Sequence, residues 1–322
     1  MKKNVTENIE LSEMKKKNPE EQIEIIESCP VCGSRECRKV LEVIDYFASK
    51  ELFPVYDCTH CGFRFTNHFP SEDTIERYYR AADYISHSDS DKGLTNKLYH
   101  RFRRRMLHRK VRLITSYTRN AGKKLLDIGC GTGYFLHAAL KKGFTVSGIE
   151  KEPTTREAAS QHFALDIKGS LFEMGESLFD VITLWHVLEH LEKLNESIDK
   201  IGKLLAPKGT LFIAVPNHHS YDARRYRQQW AAYDIPRHLW HFTPETMERL
   251  LAKHGMKIIS MRAMPLDAFY IALLSEQYRG RAAFPRYVRA FATGIGGFFR
   301  SRRNIEASSS IIYIVKHAER ES

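Results

Sequence analysis

The stretch LLDIGCGTGYF constrains the fold more than any other part of the 322-residue chain. Apolar residues from Leu125 to Ile128 predict a short buried strand. Three glycines at alternate positions follow it, and an amphipathic pattern then runs to Gly143. The next apolar stretch, FTVSGIE, ends on Glu150. A glycine turn between strand and helix, with an acid closing the next strand, is typical of folds that bind nucleosides.

Further apolar stretches predict the rest of the sheet. FDVITL, GTLFIAVPN, MKIISMRAM and SSSIIYIVKHA each have the length and content of a buried strand, and helical patterns separate several of them. Strands that alternate with helices predict an α/β architecture with a doubly wound, mostly parallel sheet. Ligands of such sheets bind beyond the carboxyl ends of the strands, so the glycine turn, Glu150 and the residues after FDVITL should lie together.

The spacing of the glycines separates two classes of cofactor. A dinucleotide turn has the pattern GxGxxG, but Tyr134 stands at its third glycine position and is too bulky for that role. The chain has DxGxGxG instead, with glycines at Gly129, Gly131 and Gly133. The carboxylate of Glu150 is placed to accept hydrogen bonds from both ribose hydroxyls, and its charge disfavours a 2′-phosphate.

The stretches LLDIGCGTGYF, VSGIE, FDVITLWHVLEHL and LAPKGTLFIAVPN together resemble the class I S-adenosylmethionine-dependent methyltransferases. The resemblance covers roughly Lys123 to Val215. It implies a Rossmann-like sheet of seven strands that continues to the C-terminus. It also implies that Asp127 and the glycine turn bind the methionine part of S-adenosylmethionine, and that Glu150 binds the ribose.

The resemblance implies a departure from the usual pattern in adenine recognition. Many relatives have an aspartate after the third strand that contacts the adenine, but here DIKGSLF puts Ser170 at that place. We therefore expect backbone groups and Leu171 to contact the base.

Two CxxCG units near the N-terminus predict a structural zinc site. Their four thiols are those of Cys29, Cys32, Cys58 and Cys61. Each unit forms a tight turn that points two thiolates at one centre, and four protein ligands leave no open position for catalysis. Cys37 and Cys130 lie outside this pattern. Together with the methyltransferase motifs, this module resembles bacterial methyltransferases with an N-terminal zinc-binding region, some of which act on sugars or other small biosynthetic intermediates.

The stretch DIPRHLWHF concentrates titratable chemistry just before a predicted helix. Thr243 followed by Pro244 is a helix start, and the stretch should approach that helix beside the strand ends. His238 and His241 are candidate bases for an acceptor hydroxyl, with Tyr233 and Arg237 as groups that orient the substrate. The alternative is structural, with one histidine capping a helix or bonding a backbone carbonyl.

The stretch HVLEH after the fourth strand raises a further candidate. It resembles a stretch of the coenzyme Q O-methyltransferases in which acids and a histidine can hold a divalent metal. His186 stands where those relatives often have an acid. We expect Glu189 and His190 to form hydrogen bonds within the fold and His186 to line the pocket as a further candidate catalytic residue.

The charge distribution indicates an anionic partner. The formal net charge is +11, and residues 97–112 hold eight Lys or Arg and no acid. This pattern predicts a helix with a basic face, which would be solvated or would attract an anionic substrate, RNA or lipid headgroups. The segment 265–307 between the last two strands is apolar, aromatic and basic, so we expect a substrate lid or a contact with a membrane surface.

These patterns divide the chain into four parts. We expect a mobile leader over 1–25, a zinc ribbon over 26–70, a helical linker or lid over 71–120, and the methyltransferase domain over 121–322 with the insertion at about 265–307. The leader lacks the apolar core of a secretory signal, which predicts a cytoplasmic protein with peripheral membrane contact as an option.

Three functions follow as hypotheses. The leading one is methylation of a small-molecule, sugar or lipid-linked acceptor. The alternative is RNA methylation, because a zinc module and a basic helix also suit RNA, although LWHV replaces the NPPY-type motif of exocyclic amine methylation. The third is a zinc-dependent interaction module with a vestigial cofactor site, and the intact glycine turn and Glu150 argue against it.

Overall fold

The computed structural model describes residues 23–71, 74–79, 94–118, 122–280 and 282–318. The leader expected over 1–25 lies outside these residues except for its last three positions. The stretch 80–93 of the expected linker lies outside them as well.

The described residues form two main sheets, a short two-stranded sheet and eight α-helices. The strands are β1 (Ile23–Glu24), β2 (Cys37–Ile44), β3 (Leu52–Cys58), β4 (Arg64–Thr66), β5 (Phe69–Pro70), β6 (Lys124–Ile128), β7 (Thr145–Ile149), β8 (Ile167–Lys168), β9 (Phe179–Trp185), β10 (Leu205–Pro216), β11 (Trp240–His241), β12 (Met256–Ala263) and β13 (Ser310–His317). The helices are α1 (Leu94–Tyr117), α2 (Tyr134–Leu140), α3 (Pro153–Phe163), α4 (Leu194–Leu204), α5 (Tyr221–Tyr226), α6 (Pro244–Lys253), α7 (Asp267–Tyr278) and α8 (Ala283–Arg303).

The central sheet has seven strands in the order β12-β13-β10-β9-β6-β7-β8. Strands β6, β7, β8, β9 and β10 are parallel, and β13 runs antiparallel between β10 and β12. The predicted doubly wound, mostly parallel sheet of seven strands is confirmed. The chain leaves β6 towards β7 on one side and returns to β9 on the other, so the carboxyl end of β6 is the switch point where ligands bind.

The glycine turn requires backbone conformations that other residues rarely adopt. Gly129, Gly131 and Gly133 have φ angles of 69°, 53° and 78°, all in the left-handed region. A Cβ atom on Gly129 would lie 2.4 Å from a methyl carbon of Val187, whereas a Cβ on Gly131 would meet no atom within 4 Å. The turn therefore packs tightly on one side and faces open space at Gly131.

The zinc module and the DIPRHLWHF stretch share one sheet, which the sequence did not indicate. The second main sheet has the order β11-β4-β3-β2 and is antiparallel. Its edge strand β11 belongs to DIPRHLWHF and pairs Trp240 with Phe65 and His241 with Arg64. Because Phe63 and Phe242 belong to the same buried core as strands of the central sheet, the module is packed against that sheet.

Helix α6 begins where the sequence predicts. The Thr243 hydroxyl accepts a hydrogen bond from the Thr246 amide at 3.2 Å, and Pro244 occupies the first turn. Gly255, with a φ angle of 67°, follows the helix.

The insertion expected at about 265–307 consists of α7 and α8, which pack against each other. No helix among the described residues is both long and apolar enough to cross a bilayer.

Candidate active site at the carboxyl ends of the strands

The side chain of Glu150 closes over the glycine turn from the end of β7. Its Oε2 accepts a hydrogen bond from the Gly131 amide at 2.8 Å, and its Oε1 accepts one from the Glu152 amide at 3.0 Å. A carboxylate that accepts a hydrogen bond from a backbone amide can instead accept hydrogen bonds from the hydroxyl groups of a ligand. This is the position that the sequence predicts for ribose recognition.

Asp127 lies buried within β6, just before the turn. The Thr183 hydroxyl donates a hydrogen bond to its Oδ1 at 2.5 Å. Burial raises the pKa of Asp127 to about 7, although the Thr183 hydrogen bond and Lys110 act in the opposite direction. A cationic ligand group at this carboxylate would favour the charged form.

Lys110 of α1 is a site residue that the sequence analysis missed. Its ammonium lies 4.4 Å from the centroid of the Trp185 ring. Burial lowers the pKa of Lys110, while the charges of Asp127 and Asp267 raise it. Helical spacing could have identified Lys110 in the sequence, because it falls between Leu107 and Ile114 on the face of α1 that packs inward.

Ser170 and Leu171 follow β8 at the same edge of the sheet. The Ser170 hydroxyl accepts a hydrogen bond from the Phe172 amide at 3.2 Å and so caps the short 3₁₀ turn Leu171–Glu173. Leu171 is buried. The Ser170 side chain is thus engaged locally, and its role toward adenine stays a prediction.

His186 directly follows β9 and lies between two carboxylates. Its Nε2 is 3.2 Å from Asp267 Oδ2, and its Nδ1 is 3.4 Å from Glu189 Oε1. The side chain is 34% exposed. Burial lowers the pKa of His186, but the two carboxylates outweigh burial and raise the pKa to about 10. His186 is therefore an imidazolium at neutral pH.

His238 and His241 have different surroundings although they are three residues apart. His238 Nδ1 lies 2.9 Å from the Ala232 carbonyl oxygen, and its ring centroid is 4.5 Å from that of His190. His241 lies in β11, where its Nε2 is 3.1 Å from the Thr66 hydroxyl of the zinc module. Burial lowers the pKa of His241 well below its usual value.

The two groups expected to orient a substrate are occupied by the protein itself, which corrects that expectation. The guanidinium of Arg237 is 1% exposed and donates to Asp234 Oδ1 at 2.6 Å and to Asp45 Oδ1 at 3.2 Å. The Tyr233 hydroxyl accepts a hydrogen bond from Arg64 at 2.7 Å and is buried. Buried charges need such partners, so both side chains join the loop to the zinc module.

Three side chains each offer one potential metal-ligand atom, and these atoms lie within 4.8 Å of one another; the side chains are those of Glu189, His190 and His238. His190 Nδ1 lies 3.0 Å from the Arg237 carbonyl oxygen. Carbonyls only accept, so the Nδ1 atom of each histidine carries a proton, and in the neutral form of each ring the lone pair lies on Nε2. Burial lowers the pKa of His190 to about 4, and the ring is neutral.

Glu189 completes this cluster as a buried anion. Among the described residues neither of its carboxylate oxygens accepts a hydrogen bond, and its one close polar contact is the ion pair with His186. Burial raises the pKa of Glu189, but His186, together with His238 and His190, outweighs burial and lowers it. The expectation of hydrogen bonds within the fold is met by His190 and not by Glu189.

The four cysteines of the CxxC units converge as a tetrad. Cys29 Sγ lies 3.5 Å from Cys61 Sγ, and Cys32 Sγ lies 3.5 Å from Cys58 Sγ. All four sulfurs lie within 4.8 Å of one another. Zinc–sulfur bonds of about 2.3 Å in a tetrahedron require sulfurs about 3.8 Å apart, so the tetrad fits a zinc ion.

The comparisons with known proteins concern the family and the fold. A methyltransferase domain family matches residues 99–261, which is half of the chain. The ubiquinone biosynthesis O-methyltransferase of Brucella anthropi is 31% identical over 153 residues, covering 43% of this chain and 61% of that protein. The mitochondrial ubiquinone biosynthesis O-methyltransferase of Rattus norvegicus is 27% identical over 167 residues, covering 46% of this chain and 48% of that protein. The chain thus spans about half to three fifths of the length of these relatives.

A solved structure shows the same fold. Magnesium protoporphyrin IX methyltransferase from Synechocystis PCC 6803 with bound SAH superimposes with a TM-score of 0.50 at 13% identity, covering 77% of this chain and all of that chain. At this identity the likeness concerns the fold alone. From the family match, the strand order and the glycine turn together, we conclude that the chain belongs to the methyltransferase domain family and has the class I fold of S-adenosylmethionine-dependent methyltransferases.

Proposed function

We propose that this methyltransferase acts on a hydroxyl group of a small or lipid-linked acceptor. The observation that carries the proposal is the acid–histidine cluster beyond β9, formed by His186, Glu189, His190 and His238. Methyl transfer to oxygen requires removal of the hydroxyl proton, and this cluster places proton acceptors at the strand ends. The names of the relatives from Brucella anthropi and Rattus norvegicus, both O-methyltransferases, support it.

The residues around the turn have complementary proposed roles in cofactor binding. Asp127 accepts a hydrogen bond from the ammonium of the methionine part, and Lys110 pairs with its carboxylate. The Glu150 carboxylate gives up its hydrogen bond from the Gly131 amide and accepts hydrogen bonds from the ribose hydroxyls. Leu171, with backbone groups near Ser170, contacts the adenine. What supports these assignments is the position of these four side chains near the carboxyl ends of the strands, with Lys110 reaching there from α1 over the Trp185 ring.

Of the three candidate histidines, we assign the base to His238. Its Nδ1 proton is held by the Ala232 carbonyl, which leaves Nε2 free to accept a proton. The resulting imidazolium would lie near the carboxylates of Glu189 and Asp234, the latter 3.8 Å from Nε2. His186 is already protonated, so it suits stabilisation of the acceptor oxygen better. The Nε2 of His241 is engaged by Thr66.

A second use of the same cluster is favoured by one observation. The Nδ1 atoms of His190 and His238 each donate to a carbonyl, which leaves their Nε2 atoms available as ligands. The buried carboxylate of Glu189 accepts no hydrogen bond among the described residues. These three groups form a donor set that fits a divalent cation. Glu189, His190 and His238 would hold the ion, with His238 in place of the His186 of the sequence motif. A bound cation would lower the pKa of an acceptor hydroxyl.

Transfer of a radiolabelled methyl group to a panel of acceptors tests the proposal. The panel contains small phenols, a free sugar, primary amines and total RNA. We expect label on a hydroxyl acceptor and none on RNA. Label on RNA alone would favour the alternative function, and label on amines alone would refute methylation of oxygen.

We also propose that the cysteine tetrad holds one structural zinc ion. Cys29→Ser should weaken zinc binding strongly, because it removes one of the four thiolates of the proposed site, and should loosen the sheet that β11 shares with the module. Affinity for S-adenosylhomocysteine should change little, since the glycine turn lies in the other sheet. Elemental analysis and calorimetric titration measure the two effects.

Cys37→Ser is the matched control, because Cys37 lies beside the tetrad but outside it. It should keep about one zinc per chain. Metal-free wild-type protein with the four thiols paired as disulfides would contradict the proposal, and so would equal zinc loss in the two variants.

A further inference from the structure

Helix α8 is anchored to the protein by a face of small residues. Ala290, Thr293, Gly294, Gly297 and Ser301 are its buried positions. A Cβ atom on Gly294 would lie 2.3 Å from the Phe269 ring of α7, so the two helices approach as closely as glycine permits. This contact fixes which side of α8 points away from the protein.

The outward side carries a continuous row of apolar side chains, which we call the α8 stripe. It consists of Phe284, Val288, Phe291, Ile295 and Phe299, and all five are exposed. Their spacing of four, three, four and four residues places them along one line of the helix. Phe284 is 79% exposed. An exposed apolar row of this length marks an interaction surface.

Arg302 and Arg303 adjoin the C-terminal end of the α8 stripe, whereas the other arginines of α8 lie on other faces, and the helix has no acidic residue. The helix contains Arg286, Arg289, Arg300, Arg302 and Arg303 and no Asp or Glu. Among the described residues no carboxylate forms an ion pair with these five guanidinium groups; Arg300 instead lies over the Tyr221 ring and Arg302 over the Phe298 ring. The surface therefore combines apolar side chains with uncompensated positive charge.

We propose that the α8 stripe docks on an anionic lipid bilayer surface, with α8 lying in the plane of the headgroups. Aromatic and aliphatic side chains on one face with arginines beside them are the pattern of interfacial helices. Anionic headgroups complement the arginines. A second copy of this chain is the other candidate occupant, and the oligomeric state of the protein tests it.

The docking surface is connected to the candidate active site. Helix α7, on which α8 packs, begins at Asp267, and the carboxylate of Asp267 contacts His186. Helix α7 thus contacts both the docking helix and a candidate active-site residue. The inference is independent of which acceptor is methylated, and its test needs no acceptor.

Co-sedimentation with lipid vesicles tests the inference on the full chain. We expect binding to phosphatidylcholine vesicles containing about 30% phosphatidylglycerol, and at least roughly tenfold weaker binding to pure phosphatidylcholine. The double variant Phe284→Ser/Phe299→Ser should weaken binding to the anionic vesicles by about tenfold or more. Its affinity for S-adenosylhomocysteine should equal that of the wild type, which shows that it is folded.

The double variant Leu52→Ser/Leu140→Ser is the matched control, because it removes two exposed leucines that lie outside α8. It should bind the anionic vesicles as the wild type does. Equal loss in both double variants would overturn the inference, as would wild-type protein that ignores anionic vesicles. If the protein bound single-stranded RNA but no vesicles, the surface would be assigned to RNA. If it bound no vesicles and formed a dimer that only the Phe284/Phe299 variant lost, the surface would be assigned to a second copy.

Discussion

His238→Ala should lower the turnover number by about 10²–10⁴-fold, the usual contribution of a general base. The affinity for S-adenosylhomocysteine should stay within about threefold of the wild type, because His238 is not among the residues assigned to the cofactor. Turnover is measured with the hydroxyl acceptor found in the panel, and affinity by calorimetric titration. The separation of the two effects distinguishes a base from a residue that supports the fold.

His241→Ala is the comparison variant, since it removes an equally buried imidazole from the same loop. His241→Ala should lower the free energy of unfolding, because the contact with Thr66 is lost. Its turnover number should stay higher than that of His238→Ala. The reverse pattern would show that the base is misassigned. In that pattern His241→Ala loses about 10²–10⁴-fold in turnover and His238→Ala stays active. Loss of wild-type activity in chelator, with recovery on adding a divalent cation, would make His238 a ligand instead.

Gly131→Val should abolish detectable binding of S-adenosylhomocysteine, a loss of at least about 10²-fold in affinity. The space next to Gly131 is open in the protein, and it is bordered by the Glu150 carboxylate that we assign to the ribose. A branched side chain would occupy that space and displace the ligand. Calorimetric titration of the purified variant measures the loss.

Gly255→Val controls for backbone strain. Gly255 also has a left-handed φ, 67° against 53° for Gly131, and a Cβ there would likewise meet no atom within 4 Å. Each substitution should cost about 1–2 kcal/mol in the free energy of unfolding, because L-residues disfavour this conformation. Unchanged cofactor affinity is expected for Gly255→Val; full affinity in Gly131→Val would refute the assigned cofactor position.

The parts of the fold that depend on local sequence could be predicted. The strand before the glycine turn, the turn itself and the helix start at Thr243 each result from neighbouring residues: apolar runs, positive φ angles and a side-chain cap. The spacing DxGxGxG likewise distinguishes one cofactor class from another. Such features appear in the sequence because the interactions that stabilise them span only a few residues.

Contacts between distant segments could not be predicted. The pairing of Trp240 with Phe65 joins residues far apart in the chain, and no periodic pattern in a stretch as short as β11 signals it. The partners of Arg237 illustrate the consequence: a guanidinium in a loop looks available for a substrate until Asp45 of the zinc module is found beside it. Lys110 was overlooked for a related reason, since it lies within a run of basic residues whose other described side chains, at positions 104, 105, 109 and 112, are exposed.

The central claim is that the cluster around His238 faces the transferred methyl group. A crystal structure of the complex with S-adenosylhomocysteine tests it most directly, through the distance from the cofactor sulfur to His238 Nε2. We expect that distance to be within about 8 Å, which leaves room for an acceptor atom about 3 Å from the methyl carbon. A sulfur farther than about 8 Å from both His238 and His186 would contradict the claim and make the histidines structural.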